Sequence, residues 1–136
     1  MKGKITNINP EGLMKSPAFS QAVVTEGNGK TIYVGGQNAI DADGSIIGKG
    51  NMSLQSAQVM RNVETALAAA GATFSDVVKM NIYVVQGQNA KEAFAAAQPF
   101  MKQCPQPPAI TGLFVASLAN PEYLLEVEAI AFKVIE

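Results

Sequence analysis

The chain has 136 residues, a formal net charge of −1 and no histidine, with 48% hydrophobic and 15% charged residues. This length suits one domain spanning residues 1–136, and the composition is that of a globular protein. The near-neutral charge argues against a nucleic-acid partner, since phosphate contacts need a basic face. The absence of histidine excludes a Ser-His-Asp triad and a histidine metal site. With no apolar run of 18 residues and no apolar signal core, we expect a cytoplasmic protein without membrane contact, metal or cofactor.

The first predicted elements are two strands, Ala22–Glu26 and residues 31–34. The Gly-Asn-Gly-Lys segment at 27–30 lies between them, and Asn-Gly junctions tolerate the positive φ of tight turns. The sequence therefore predicts a β-hairpin here. The Asp-Ala-Asp-Gly segment at 41–44 is predicted to be a turn and not a calcium loop, because the glutamate that closes such a loop is missing.

From Ser53, predicted as a helix cap, apolar residues recur at helical spacing until Gly71 ends the helix. Val77–Val85 follows as a central strand. A second helix is predicted from Asn89, with an apolar stripe of Ala93, Phe94, Ala97, Phe100 and Met101. Cys104 and the prolines at 105, 107 and 108 mark its end. Ala109–Val115 and residues 124–134 are the last predicted strands.

The order β-β-α-β-α-β-β predicts an α+β fold with one mixed sheet and two helices packed on one of its faces. The chain supplies no further helix for the other face. Charged residues are also scarce for a solvated surface. We therefore predict that neighbouring subunits cover this second face.

Four segments in chain order resemble one family. Residues 16–23 (SPAFSQAV) resemble Gly-Pro-Tyr-Ser-Gln-Ala-Val, and residues 34–41 (VGGQNAID) resemble Ser-Gly-Gln-Ile-Pro-Leu-Asp. Residues 69–80 (AAGATFSDVVKM) resemble a helix end and the following strand, and residues 125–131 (LEVEAIA) resemble Glu-Ile-Glu-Ala-Ile-Ala. These are the motifs of the Rid (reactive intermediate deaminase, YjgF-like) family, and the match covers nearly the whole chain.

The resemblance implies a chorismate-mutase-like fold, a homotrimer and small-molecule clefts between adjacent subunits. Glu126 matches the family glutamate that orients or activates water, and Phe19 replaces the usual tyrosine. The positions expected to contact substrate are Phe19, Gln37, Ile110, Thr111 and Gly112. The alternative for Glu126 is that it shares a strand face with Glu128 and meets solvent or a neighbouring lysine.

Ile110 departs from the family pattern. Active Rid deaminases carry Pro-Ala-Arg-Ser, whose arginine clamps the carboxylate of a 2-imino acid, whereas this chain reads Pro108-Ala109-Ile110-Thr111. An apolar side chain cannot pair with a carboxylate. Arg61 is expected on the helix surface and offers no replacement, although a lysine from elsewhere could substitute. Cys104 is expected to be a loop thiol and not a nucleophile, because no histidine activates it.

Three functions remain open after this comparison. The first is a trimeric deaminase-like hydrolase that cleaves a carbon–nitrogen bond in a substrate without a carboxylate at the Ile110 end. The second is a non-catalytic trimer that binds or senses a small ligand. The third, endoribonuclease or translation inhibitor, follows descriptions of other family members and is disfavoured by the charge.

Overall fold

A computed structural model describes residues 1–136 and contains six strands, two α-helices and one 3₁₀ turn. The strands are β1 (Lys4–Ile8), β2 (Ala22–Glu26), β3 (Gly29–Gln37), β4 (Val77–Val85), β5 (Ala109–Val115) and β6 (Leu125–Val134). The helices are α1 (Met52–Ala69) and α2 (Ala90–Met101), and the 3₁₀ turn is Phe74–Asp76.

Four strands form the main sheet in the order β3-β6-β4-β5. β6 is antiparallel to both of its neighbours, whereas β4 and β5 are parallel and are joined through α2. A parallel pair requires such a crossover, which explains why a helix separates these two strands in the sequence. The α+β prediction of a mixed sheet with two helices packed on it is confirmed.

The predicted hairpin between β2 and β3 is wrong. β2 pairs with β1, an N-terminal strand that the sequence reading missed, and the two make a separate antiparallel ladder. β3 pairs instead with the C-terminal strand β6. Gly27 does adopt a positive φ of 78°, so the local turn signal was correct. The turn leads from the β1-β2 ladder into the main sheet. It does not form a hairpin, because β2 and β3 each pair with a strand that is distant in the sequence.

The N-cap of α1 lies two residues before the predicted cap. Asn51, and not Ser53, is the N-cap, and its side-chain oxygen accepts a hydrogen bond from the Leu54 backbone N–H. Asparagine is among the best residues at this position, where a cap contributes ~0.5–2 kcal/mol. Gly71, at a φ of 80°, ends the helix as predicted.

Strand β6 separates the two faces of the main sheet. Leu125, Val127, Ala129 and Ala131 are buried and belong to the core between the sheet and the helices. Because side chains alternate along a strand, Glu126, Glu128 and Ile130 point to the opposite face. No element of this chain covers that face, which we call the open face, and Tyr33 on it is 77% exposed.

Gln55 of α1 ties the helix to two loops. Its Nε2 donates to the carbonyl oxygens of Gly48 (3.2 Å) and Glu122 (2.9 Å). Its Oε1 accepts from the backbone N–H of Leu124 at 2.9 Å, and the residue is fully buried. The Leu124 N–H is buried and would be costly to leave unpaired, so this glutamine is structural.

Helix α2 is fixed mainly against α1. The helix was predicted to start around Asn89, which is its N-cap, and buried Ser56 of α1 donates a 2.7 Å hydrogen bond to the Ala93 carbonyl. Ala93 is the only fully buried residue of α2, and Pro99 interrupts its last turn. The predicted apolar stripe of this helix is therefore only partly used in core packing.

The loop after β3 contains the predicted turn at 41–44. The Asp41 carboxylate accepts hydrogen bonds from the backbone N–H groups of Asp43 (2.9 Å) and Ser45 (3.0 Å). Such side-chain-to-backbone bonds define an Asx turn. None of the helices is both long and apolar enough to cross a membrane.

Candidate functional site

A cavity of about 610 Å³ lies between α2 and the helix-facing side of the main sheet. Its walls also include the 17–19 loop and the proline-rich segment after α2. The lining residues are Pro17, Ala18, Phe19, Ser56, Met60, Met80, Ile82, Ala93, Phe94, Ala97, Gln98, Met101, Cys104, Pro105, Pro107, Ile110, Gly112, Leu125 and Val127. This volume falls within the usual range for small-molecule sites.

None of the nineteen lining residues carries a charge, and thirteen are hydrophobic. Sulfur atoms from Met60, Met80, Met101 and Cys104 and the rings of Phe19 and Phe94 make the surface apolar and polarisable. Methionine sulfur makes favourable contacts with aromatic rings. The cavity is therefore suited to an uncharged molecule with an apolar body.

The cavity has a buried floor and an exposed mouth. Met60, Met80, Leu125 and Val127 are at most 2% exposed and form the floor. Pro17, Ala18, Phe94, Gln98, Pro105 and Gly112 are exposed and mark the mouth. A ligand that enters would place its apolar end at the floor and its polar end at the rim.

Three of the predicted site residues meet at this cavity. Phe19 comes from the 17–19 loop, and Ile110 and Gly112 come from alternate positions of β5. Buried Ser20 fixes the loop, because its hydroxyl donates to the Pro107 carbonyl and its backbone N–H donates to the Pro108 carbonyl at 3.0 Å. Phe19 and Ile110, which are far apart in the sequence, thus line the same cavity.

The other three predicted residues lie elsewhere. Glu126 points to the open face, between two cavity-lining neighbours on β6. Thr111 is also on the open face, where its hydroxyl accepts a 2.7 Å hydrogen bond from Lys79 Nζ. Gln37 lies past a bulge in β3 and donates to the Gly35 carbonyl at 3.1 Å. A single chain therefore does not bring Glu126 and Ile110 into one site.

The Glu126 carboxylate is held by contacts from the β3 bulge and the loop after it. Asn38 Nδ2 donates to Glu126 Oε1 at 3.2 Å, and Glu126 Oε2 lies so close to Gly36 that any Cβ there would collide with it. Asn62 of α1 fixes Asn38 in turn, by donating to its carbonyl at 2.9 Å. The carboxylate is thus positioned through the sheet from the helical layer.

Glu128 is the centre of a second polar cluster on the open face. Its Oε1 accepts from the Tyr83 hydroxyl at 2.6 Å and from Asn81 Nδ2 at 2.9 Å. The Tyr83 bond, and then the Asn81 bond, hold the pKa of Glu128 below its usual value. The same bond to Glu128 raises the pKa of Tyr83. Glu128 is therefore a stably ionised structural carboxylate.

Cys104 lines the cavity as a protonated thiol. Burial raises its pKa to about 11, and Sγ donates to the Phe74 carbonyl at 3.2 Å. The thiolate is the nucleophilic form of cysteine, so this residue reacts slowly near neutral pH. No three His, Cys, Asp or Glu side chains come together to form a metal site.

Most of the cavity-lining residues were not predicted from the sequence. Phe94 and Met101 were predicted as part of the apolar stripe of α2, and no site role was predicted for Met60, Met80 or Gln98. Arg61 was correctly expected at the surface, where its side chain is exposed and donates to Gln58 at 3.0 Å. The available signal was α2's apolar stripe next to a proline-rich segment, which does not distinguish a core from a cavity wall.

Comparisons with known proteins agree with the fold. The family model described as Endoribonuclease L-PSP matches residues 13–133. A RutC family protein of Pyrococcus horikoshii is 32% identical over 116 residues, covering 85% of this chain and 86% of that protein. The human 2-iminobutanoate/2-iminopropanoate deaminase is 27% identical over 115 residues, 85% of this chain and 80% of that protein. The crystal structure of YyfB from Yersinia pestis, described as a Rid family protein of unknown function, superposes with a TM-score of 0.83 at 37% identity, covering 93% of this chain and 97% of that chain.

Proposed function

Because the chain belongs to the Rid (YjgF-like) family, matched above as Endoribonuclease L-PSP, we propose that it binds a small uncharged molecule in the α2 cavity. The observation that carries the proposal is the uncharged lining, with Ile110 where active family members have an arginine. Phe19 and Gly112 line the same cavity as Ile110. The site has the family's position but a different electrostatic character.

The lining disfavours the carboxylate substrates of the arginine-dependent deaminases. A hydrogen bond to a charged group contributes ~1.5–3 kcal/mol, so losing the arginine fork weakens carboxylate binding roughly tenfold to hundredfold. No lysine lines the cavity, so a lysine of the same chain does not replace the arginine. An uncharged ligand needs no charged partner, and its binding is stabilised by burial of its apolar surface.

The open face supports a homotrimer with clefts between subunits. It carries Tyr33 and Leu113, both more than half exposed, together with the Glu126 carboxylate. Within one chain, Glu126 and Ile110 lie on opposite faces of the sheet. Glu126 of one subunit can join the cavity of another only if the open face of one copy packs near the cavity mouth of the next.

A second candidate function is hydrolysis of a neutral carbon–nitrogen double bond. The positioned Glu126 carboxylate and the similarity to the human deaminase favour it. In this reaction Glu126 of a neighbouring subunit takes a proton from water as the water oxygen bonds to the imine carbon, and it passes that proton to the nitrogen as the carbon–nitrogen double bond becomes a single bond. Glu126 then moves the hydroxyl proton of the resulting carbinolamine to the nitrogen, and the remaining carbon–nitrogen bond breaks to give the ketone and ammonia. The endoribonuclease alternative gains no support from a net charge of −1 and a chain without histidine.

The test is the substitution Ile110→Arg in a coupled keto-acid assay. With 2-iminobutanoate generated in situ by threonine dehydratase, we expect no turnover above background by the unmodified protein. Ile110→Arg should gain turnover, whereas Gln106→Arg, which adds the same charge outside the cavity, should not. Rapid turnover by the unmodified protein would contradict the proposed charge selectivity.

Oligomer state and Glu126 separate the two candidates. Light scattering should report three chain masses, and a clean monomer at micromolar concentration would refute the inter-subunit cleft. If the protein is a hydrolase, Glu126→Gln should abolish turnover of an uncharged imine and leave binding intact. If it only binds, the unmodified protein should show no turnover of that imine.

A further inference from the structure

Among the polar side chains of the cavity, Gln98 differs from the other two. The Ser56 hydroxyl donates to the Ala93 carbonyl, and the Cys104 thiol donates to the Phe74 carbonyl. The side-chain amide of Gln98 makes no hydrogen bond within the protein and lies at the exposed mouth. Its donor and its acceptor are both available to a ligand.

From this arrangement we infer that Gln98 is the specificity residue of the cavity and selects neutral aromatic carboxamides and lactams. The inference rests on the proposed function and adds the chemical class of the ligand. A glutamine amide carries an acceptor oxygen next to a donor NH₂. A ligand carboxamide or lactam offers the complementary pair in one plane, so two parallel hydrogen bonds form.

The ring of the ligand follows from the rest of the lining. Met60 and Met80 place sulfur atoms at the floor, and Phe19 and Phe94 contribute rings nearer the mouth. Sulfur–aromatic and ring–ring contacts favour an aromatic body over an aliphatic chain of equal area. The ring lies at the buried end while the amide remains at the rim beside Gln98.

Charged analogues of the same size are selected against. No lining side chain carries a charge that could neutralise a carboxylate or an ammonium group, and each of these ions can use only one half of the Gln98 amide. An ion entering the cavity therefore loses hydration without gaining a counter-charge. A purely apolar ring enters without this loss, but it leaves the Gln98 amide unmatched and therefore binds more weakly than the carboxamide.

Four matched probes test the inference: benzamide, toluene, benzoate and benzylamine. Binding is followed by the methyl NMR signals of Met60, Met80 and Met101, which lie in the cavity wall. For the unmodified protein we expect benzamide to bind about three- to tenfold more tightly than toluene, as a neutral hydrogen bond allows. Benzoate and benzylamine should bind most weakly.

Substitutions at Gln98 then separate its role from that of the cavity. Gln98→Leu should remove the preference for benzamide over toluene, and Gln98→Glu should make benzylamine the best probe. Gln106→Leu changes an exposed glutamine of the adjoining loop that does not line the cavity, and it should behave like the unmodified protein. Gln98 is exposed, so the folded state should tolerate both changes.

The outcomes that overturn the inference are distinct from those that overturn the proposed function. If all variants bind toluene and benzamide equally, the cavity binds uncharged molecules but Gln98 does not select them. If benzoate binds the unmodified protein best, or no probe shifts the cavity methionines, the proposed uncharged site is itself wrong.

Discussion

Cys104 is the only thiol in the chain and it lines the cavity, so its reaction rate reports on that cavity alone. Its pKa is raised from 9.0 to about 11 by burial. At pH 8 a thiol of pKa 11 is ~0.1% ionised, whereas one of pKa 9 is ~10% ionised, a hundredfold difference in thiolate. A thiolate two pKa units more basic is roughly tenfold more nucleophilic. This partly offsets the hundredfold smaller thiolate fraction, so the reaction is about tenfold slower overall.

The assay uses 4,4′-dithiodipyridine, a neutral aromatic disulfide, between pH 7 and pH 10. For the folded protein, we expect the rate to rise about tenfold per pH unit over the whole range without levelling off. The urea-unfolded chain should level off near pH 9, because its thiol is hydrated. Saturating benzamide should slow the folded protein further, and Cys104→Ser should not react at all.

A plateau near pH 9 for the folded protein would refute the reasoning. It would mean that water solvates the thiol and that the cavity around it is not apolar. A rate that rises with pH as expected but does not change with benzamide would support burial of the thiol. It would contradict the binding of benzamide in the cavity.

Two further predictions concern the supporting structure. Gln55→Leu leaves the buried backbone N–H of Leu124 unpaired and also removes the bonds to the Gly48 and Glu122 carbonyls, so it should lower the free energy of unfolding by ~1–3 kcal/mol, seen as a lower urea midpoint. Exposed Gln103→Leu should change the midpoint little, and an unchanged midpoint for Gln55→Leu would contradict the structural role of Gln55. Tyr83→Phe removes the main bond that lowers the pKa of Glu128, so NMR should show that carboxyl titrating at higher pH, with Tyr33→Phe as control. Because the pKa of Glu128 is lowered, its stabilising contribution is present above about pH 4.5 and is lost as the pH falls through the lowered pKa. The Tyr83→Phe protein should therefore lose less stability on acidification, and an equal loss would contradict the linkage.

The sequence predicted the elements whose signals are local. β4 and β5 have the predicted bounds, Asn89 and Gly71 delimit helices as predicted, and the turn at 41–44 is present. The hairpin failed because a glycine turn fixes where the chain reverses but not which strand it pairs with. β1 was missed because Lys4–Ile8 is short and only partly apolar, and its pairing with β2 stabilises it.

The site was only partly predictable for a related reason. The family motifs predicted that Phe19, Ile110 and Gly112 share one site, since each motif position corresponds to a place in a known fold. They could not show that Glu126 lies on the other face of the sheet from Ile110, because a motif gives the order of residues within one strand and not how two strands face each other. The cavity floor was not predictable either, since a methionine at helical spacing looks the same in a core as in a wall.

The position of α2 has a consequence for how this protein can change. Phe94 and Gln98 are exposed and line the mouth of the cavity, so replacing either side chain removes few packing contacts. Met60 and Met80 belong to the core, where truncation typically costs 2–5 kcal/mol. Single substitutions on the inner face of α2 can therefore alter ligand preference at little cost to folding, so relatives with the same sheet can differ in the molecules they accept.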